Sequence, residues 1–331
     1  MPPIACGFED ISPPASPFLI KELRSGRQPT SLDTEPRPTR WGASRHFRRV
    51  LIMSTPVLNL DPDTLLMSSK DARAAAAPYA AEYQGRGPFN YGGYDNFLNP
   101  EILERVREEL KQLPEAANSY DRPQERLKTS YVPERLPMYT RQLFYALNSR
   151  PMLAFIEELT GIKGLIPDPY FAGGGVHVVA NGGHLDIHAD FNHHAGLNLE
   201  RRVNLLIYLN KDWREEYGGS FEVWDENMAG KLASYVPLFN RMCMFSTSSE
   251  SWHGNPEPVN HPDGEPRMSI ALYYYTATWD STRKSHTTLF KPRPGTKDQR
   301  DRQVARRELL QDLLPPVLHR KLAWRLEKLG F

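Results

Sequence analysis

Charge of either sign is in no excess: 41 basic and 40 acidic side chains leave a formal net charge of +1 over 331 residues. A chain whose main partner is a polyanion usually carries a surplus of Lys and Arg, so nucleic acid is excluded as the principal partner. Cysteine is almost missing. The two present are Cys6 and Cys243, the latter in the apolar run Met242-Cys243-Met244-Phe245. A disulfide framework is thereby excluded, and a reducing, cytoplasmic setting is expected. Long hydrophobic runs are absent too. The run over residues 269–277 falls well short of the roughly 20 residues that a membrane-spanning helix needs. The first thirty residues hold no continuous apolar stretch of the kind a secretory leader carries. No internal repeat is evident. What remains is an ordinary composition, 40% hydrophobic and 24% charged, which suits one large folded domain with appendages.

Four stretches divide the chain. Residues 1–52 are rich in Pro, Ser and Arg, as in Pro36-Arg37-Pro38 and Arg48-Arg49, and lack any sustained helical or strand period. Such a segment buries too little apolar area to offset its conformational entropy, so a disordered tail is expected, with Met53 as an alternative start of translation. Residues 53–160 read as a mainly helical support region, with helices over 69–83, from Asn99, over 138–147 and over 151–160. Asn99 can cap the second of these, Pro100 suits its first position, and Ile102, Val106, Leu110 and Leu113 form its apolar face. Residues 161–280 change character. Short β-rich runs alternate with Gly, Asn, Asp and Pro: 175–180, 184–188, 203–209, 220–224, 241–245 and 268–276. Several short strands at this spacing imply a β-sandwich or barrel. Residues 281–331 start polar and are expected to end in a helical extension, where Leu318, Leu322, Leu326 and Leu329 share one stripe.

The chemistry is concentrated in Asn181-Gly-Gly-His-Leu-Asp-Ile-His-Ala-Asp-Phe-Asn192. In a strand, residues two apart project to the same face, so His188 and Asp190 can point together into a cavity. His184 and Asp186 have the same parity, and spacing alone leaves both pairs open. One imidazole with one carboxylate is two-thirds of the 2-His-1-carboxylate facial triad, which holds an iron and leaves three coordination positions open. The third ligand should be a distant His opening another strand. His253, in Ser251-Trp252-His253-Gly254, is the best candidate. Further on, Arg267-Met268-Ser269 opens a strand on which Arg267 and Ser269 share a face, a guanidinium and a hydroxyl suited to clamping a carboxylate.

Taken in order, these pieces resemble the prolyl-4-hydroxylase-type branch of the 2-oxoglutarate/Fe(II) oxygenases, a bacterial subgroup of it, over roughly residues 165–278. Gly182-Gly183 precedes His188-Ala189-Asp190-Phe191; then come Arg201-Arg202, Tyr208-Leu209-Asn210-Lys211-Asp212-Trp213, the Gly218-Gly219 turn, His253, and Arg267 with Ser269. Each piece alone is weak, whereas the ordered set is specific. The resemblance implies a double-stranded β-helix (jelly-roll) core, mainly β with flanking helices. It implies His188, Asp190 and His253 as the metal ligands, in preference to His184 and Asp186, and Arg267, Ser269 and Tyr208 as the co-substrate site, with no catalytic side chain beyond the metal ligands. Fe(II), 2-oxoglutarate and O2 would be used and succinate and CO2 released, with ascorbate as an auxiliary reductant. Asp190 favours hydroxylation over halogenation, for which the family substitutes a small residue. The implied substrate is a peptidyl Pro, Asn or Asp, with a small metabolite as the alternative. A catalytically silent β-helix is the rival in another class. A nucleic-acid dealkylase would need a second Arg six residues after Arg267, where this chain has Tyr273.

Overall fold

The computed structural model describes residues 55–301, apart from 281, 284 and 300. The expected tail over 1–52, the start at Met53 and the leucine stripe from Leu318 lie outside the described residues. In chain order the elements begin with α1 (Ser69–Gln84), β1 (Tyr91–Tyr94), α2 (Pro100–Glu109), β2 (Asn118–Arg122), β3 (Glu125–Tyr131), α3 (Met138–Leu147) and α4 (Arg150–Thr160). There follow β4 (Ile166–Pro167), β5 (Gly175–Ala189), β6 (His193–His194), β7 (Leu199–Tyr208), β8 (Phe221–Trp224) and β9 (Lys231–Tyr235). The last are β10 (Met242–Ser246), β11 (His253–Asn255), β12 (Arg267–Thr276) and β13 (Leu289–Phe290).

The helix ends follow local chemistry. Ser68 accepts from the backbone of Lys70 and Asp71 to start α1, and Asn99 accepts from Glu101 N–H to start α2 just ahead of Pro100. At the end of α4, Gly161 turns the chain in the left-handed region at φ 75°.

Alternation along the strands then decides what faces what. On β7 and β12, Val203, Leu205, Ile207, Ile270, Leu272 and Tyr274 are buried in one cluster with Leu143, Phe144, Phe155 and Ile156 of the helices. Their neighbours Asn204, Leu206, Arg267, Ser269 and Tyr273 line a cavity on the opposite face. A continuous hydrophobic run there would have sealed the barrel; the polar half of the alternation opens it.

Two antiparallel sheets are joined by one strand. The first runs β1-β10-β7-β12-β5 and the second β5-β11-β8-β9. The first half of β5, residues 175–179, pairs with β12, while Leu185 and His188 in its second half pair with Asn255 and His253 of β11. Between the halves the chain bends, with Gly182 at φ 84°. A Cβ on Gly183 would come within 2.7 Å of the Arg126 carbonyl oxygen. This is the double-stranded β-helix.

One departure from the sequence reading stands out. The region read as mainly helical also contains the hairpin β2–β3, which pairs with both halves of β5. Its residues are too polar to resemble a strand, because one is mostly exposed and the other carries charged groups. In the described part of residues 281–301, read from sequence as the polar start of the last stretch, β13 pairs Leu289 with Ala189 and Phe290 with His188; the helical extension expected after it lies outside the described residues. Pro292 and Pro294 follow β13 at once and break any helical run there. Cys243 is a buried free thiol, pushed up to about 12 by burial and therefore unreactive. Among the described residues, no helix is long and apolar enough to cross a membrane.

Candidate metal centre

His188, Asp190 and His253 converge. One ligand atom from each lies within 4.8 Å of the others, the spacing at which a single ion can reach all three. The pairing of His253 with His188 across β11 and β5 sets two of them side by side, their rings 4.4 Å apart. Asp190 follows just past the end of β5. Its Oδ1 is 3.7 Å from His188 Nε2 and its Oδ2 is 3.3 Å from His253 Nε2.

The tautomers of both imidazoles follow from their backbone contacts. His188 Nδ1 lies 2.9 Å from the Asp186 carbonyl oxygen and His253 Nδ1 lies 2.7 Å from that of Ser251. A carbonyl oxygen can only accept, so each Nδ1 carries the hydrogen and each Nε2 keeps its lone pair for an ion. Burial and the neighbouring His188 lower the His253 pKa, which keeps that ring neutral. Phe245 packs on the His253 ring at 4.2 Å and fixes its plane.

The carboxylate is held as firmly. Asp190 Oδ2 accepts from Arg201 at 3.1 Å and from Asn204 Nδ2 at 2.5 Å. Arg201 is itself buried, its guanidinium 3.6 Å from the Tyr273 ring centre and 4.3 Å from that of Phe191. Burial alone would raise the acid, but the Arg201 guanidinium holds it well below the usual carboxylate range. Two imidazole nitrogens and one carboxylate form a donor set that fits ferrous iron.

The rival pair lies elsewhere. The register slips by one residue between His253 and Asn255, so the parity shared by His184, Asp186 and His188 in the sequence is broken. His184 and Asp186 contact each other at 3.4 Å and line a separate groove beside Arg122, Arg126 and Arg293. There, burial and Asp298 push Asp186 up to about 7.

On the opposite side of the cavity Arg267 is buried, donating through Nε to the Gly219 carbonyl at 2.7 Å and through a terminal nitrogen to the Tyr208 hydroxyl at 3.2 Å. Tyr208 faces Ser269 across β7 and β12, and Ser269 lines the cavity with Arg267. Burial raises the Tyr208 phenol, so its hydroxyl stays protonated. The cavity measures about 80 Å³, against the ~10–15 Å³ that one water occupies. That is room for a small diacid. His177, read from sequence as a satisfied inward group, also lines the cavity, with Nε2 2.9 Å from the Gly173 carbonyl.

Sequence reasoning missed Asn204, which bonds Asp190, and gave Arg201 no role. A bulge near Tyr274 and Tyr275 disturbs the register beside Arg201, so no parity rule could have aimed its side chain. Lys128 and Asn255, also on the cavity wall, were likewise overlooked.

Gly254 offers a test of the imidazole anchors. A Cβ there would come within 2.8 Å of the carbonyl oxygens of Asp186 and Leu185, the first of which fixes His188. Gly254→Ala should therefore displace that anchor and weaken Fe(II) binding by roughly 10–100-fold. Competition titration against a chelator reads the loss, and an unchanged affinity would show that the anchor is dispensable.

Residues 174–275 match the family model of the 2OG-Fe(II) oxygenase superfamily. No curated protein matches the chain in sequence. Solved structures similar to it include a prolyl hydroxylase from Trichoplax adhaerens, in complex with a hypoxia inducible factor oxygen degradation domain peptide fragment. It has 16% identity and a TM-score of 0.44, over 62% of this chain and 91% of that one. A Pseudomonas putida prolyl-4-hydroxylase has 18% identity and a TM-score of 0.41, over 62% and 98%. HygX from Streptomyces hygroscopicus, with nickel and 2-oxoglutarate bound, has 13% identity and a TM-score of 0.42, over 67% and 92%.

Proposed function

From a 2-oxoglutarate-dependent dioxygenase domain, matched over residues 174–275, we propose an iron(II) hydroxylase whose metal ligands are His188, Asp190 and His253. The observation that carries the reading is the convergence of two imidazole lone pairs and one carboxylate across a cavity from a buried arginine. When bound, the ferrous ion supplies oxygen activation coupled to decarboxylation of the 2-oxo acid, giving succinate and CO2.

The chain's own residues do the rest. Arg267 grips the distal carboxylate of 2-oxoglutarate, aided by the Tyr208 hydroxyl and by Ser269 on the same face. The Asp186 and Ser251 carbonyls hold the imidazole planes, and Arg201 with Asn204 stops the Asp190 carboxylate from rotating. Val179, Leu206, Phe221 and Phe245 wall the cavity and exclude water. Ascorbate would serve to return oxidised iron to the ferrous state.

The substrate reading is a peptidyl Pro, Asn or Asp. Its support is the segment Tyr208-Leu209-Asn210-Lys211-Asp212-Trp213, which resembles that of the oxygen-sensing prolyl hydroxylases. A small biosynthetic intermediate is the alternative. Anaerobic addition of 2-oxoglutarate to the Fe(II)-loaded protein should produce a weak visible charge-transfer band, and admitting air should yield succinate. With no band, the protein is a silent β-helix used for binding.

A further inference from the structure

Lys128 lies on β3, outside the residues that match the family, yet it lines the metal cavity. Strand register explains how it gets there. Lys128 and Arg267 both pair with Val179, one from each side of β5, so the three side chains share a face. Strands about 4.8 Å apart set the two cations on backbones about 10 Å from each other. One strand-turn along, Glu125 and Asn255 flank Leu185 in the same manner.

Lys128 Nζ is 3.0 Å from Glu125 Oε1, while Arg122 takes the other Glu125 oxygen at 3.0 Å and also reaches Asp301 at 3.5 Å. The carboxylate that Lys128 touches is therefore shared with a second cation. The Lys128 side chain is only 14% exposed, so water does little to screen it. Arg267 bonds only neutral oxygens, and the diacid proposed above answers it with one carboxylate while using the other at the metal. Neither end of the diacid is directed at Lys128, whose ion pair is with the shared Glu125. Beside it, Asn255 lines the cavity with a buried amide nitrogen that has no hydrogen-bond partner among the described residues. Tyr120, paired with Lys128 across the hairpin, has its ring centre 5.3 Å from Nζ.

We propose that Lys128 is a specificity-determining residue that binds a carboxylate of the substrate to be oxidised, so that this enzyme acts on a molecule carrying an acid group close to the reacting carbon. This rests on the dioxygenase reading and adds a substrate class to it. The acid could be the free carboxylate of an amino acid or the side chain of an acidic residue within a peptide, and the two sources are separable.

The full chain is loaded anaerobically with Fe(II) and 2-oxoglutarate, and four probes are titrated by calorimetry and by perturbation of the charge-transfer band. N-acetyl-L-proline and its amide test a free carboxylate; N-acetyl-L-aspartic acid amide and N-acetyl-L-asparagine amide test a side-chain acid. In at least one pair the acid should bind roughly tenfold or more tightly than its neutral partner, the scale of a hydrogen bond to a charged group. The contrast should vanish in Lys128→Gln, which keeps a donor for Glu125, and return in part in Lys128→Arg, while 2-oxoglutarate half-saturation stays unchanged in all three. Melting temperatures check that the variants fold. Acids and amides that behave alike on the natural protein overturn the proposal, as does a contrast that survives Lys128→Gln. A loss confined to 2-oxoglutarate binding reassigns Lys128 to the co-substrate and also overturns it. Absence of the charge-transfer band in the natural protein instead strikes the dioxygenase reading, and this proposal falls with it.

Discussion

Asp190→Ala should lose succinate formation and melt well below the natural protein, whereas His188→Ala should lose the same turnover with a much smaller thermal shift. The difference lies in what each change leaves behind. Removing an imidazole opens a small space; removing the carboxylate strands the Arg201 guanidinium, whose side chain is 1% exposed. An uncompensated buried charge of this kind costs about 3–5 kcal/mol. For a domain of this size that is a fall of roughly 10 °C in melting temperature. Cation–π contacts with Tyr273 and Phe191 soften the loss but carry no charge to oppose it. Calorimetry of the two apoproteins, beside a succinate assay, separates the outcomes. Full turnover in either variant would show that another set of ligands holds the metal, and equal melting points would show that Arg201 does not depend on Asp190.

Arg267→Ala should raise the 2-oxoglutarate concentration needed for half-saturation by roughly 10²-fold or more, since truncating one member of a buried charge pair costs about 2–5 kcal/mol. Iron binding should be unaffected, because Arg267 lies on β12 and the three ligands do not. Arg267→Lys should recover only part of the loss: an ammonium cannot keep the bonds to Gly219 and Tyr208 and still offer a planar fork to the ligand. Titrating 2-oxoglutarate against the charge-transfer band measures binding apart from turnover. If Arg267→Ala binds the diacid normally, the distal carboxylate is held elsewhere and Lys128 becomes the first residue to examine.

The convergence of His188, Asp190 and His253 was legible in the sequence because they sit at strand ends with a fixed order. Helix α3 was bounded correctly at Met138–Leu147, and the Asn99-Pro100 start of α2 was visible for the same local reason. What escaped is instructive. Lys128 occupies a strand whose other residues include Glu125, Arg126 and Thr129, and a charged strand in a single sequence looks like a loop. Its role depends on pairing with Val179, some fifty positions away, which no local pattern encodes. Choosing between His184/Asp186 and His188/Asp190 needed family register, since the one-residue slip opposite β11 defeats strand parity. Asn204 gave no signal of its own; only the fold brings it to the carboxylate of Asp190.

The bend in β5 carries a last consequence. Its first half bears Val179, against which Arg267 is registered; the proposed metal ligands are His188 in its second half, Asp190 just past its end and His253 on β11. The span from ion to guanidinium is therefore set by the angle of one strand at residues 180–183, where Gly183 has no space for a methyl group. On the proposed reading, a diacid one carbon shorter or longer should bind less tightly than 2-oxoglutarate, and titration against the charge-transfer band checks it. The corner of this strand would then act as a gauge of chain length, beside the charges at either end.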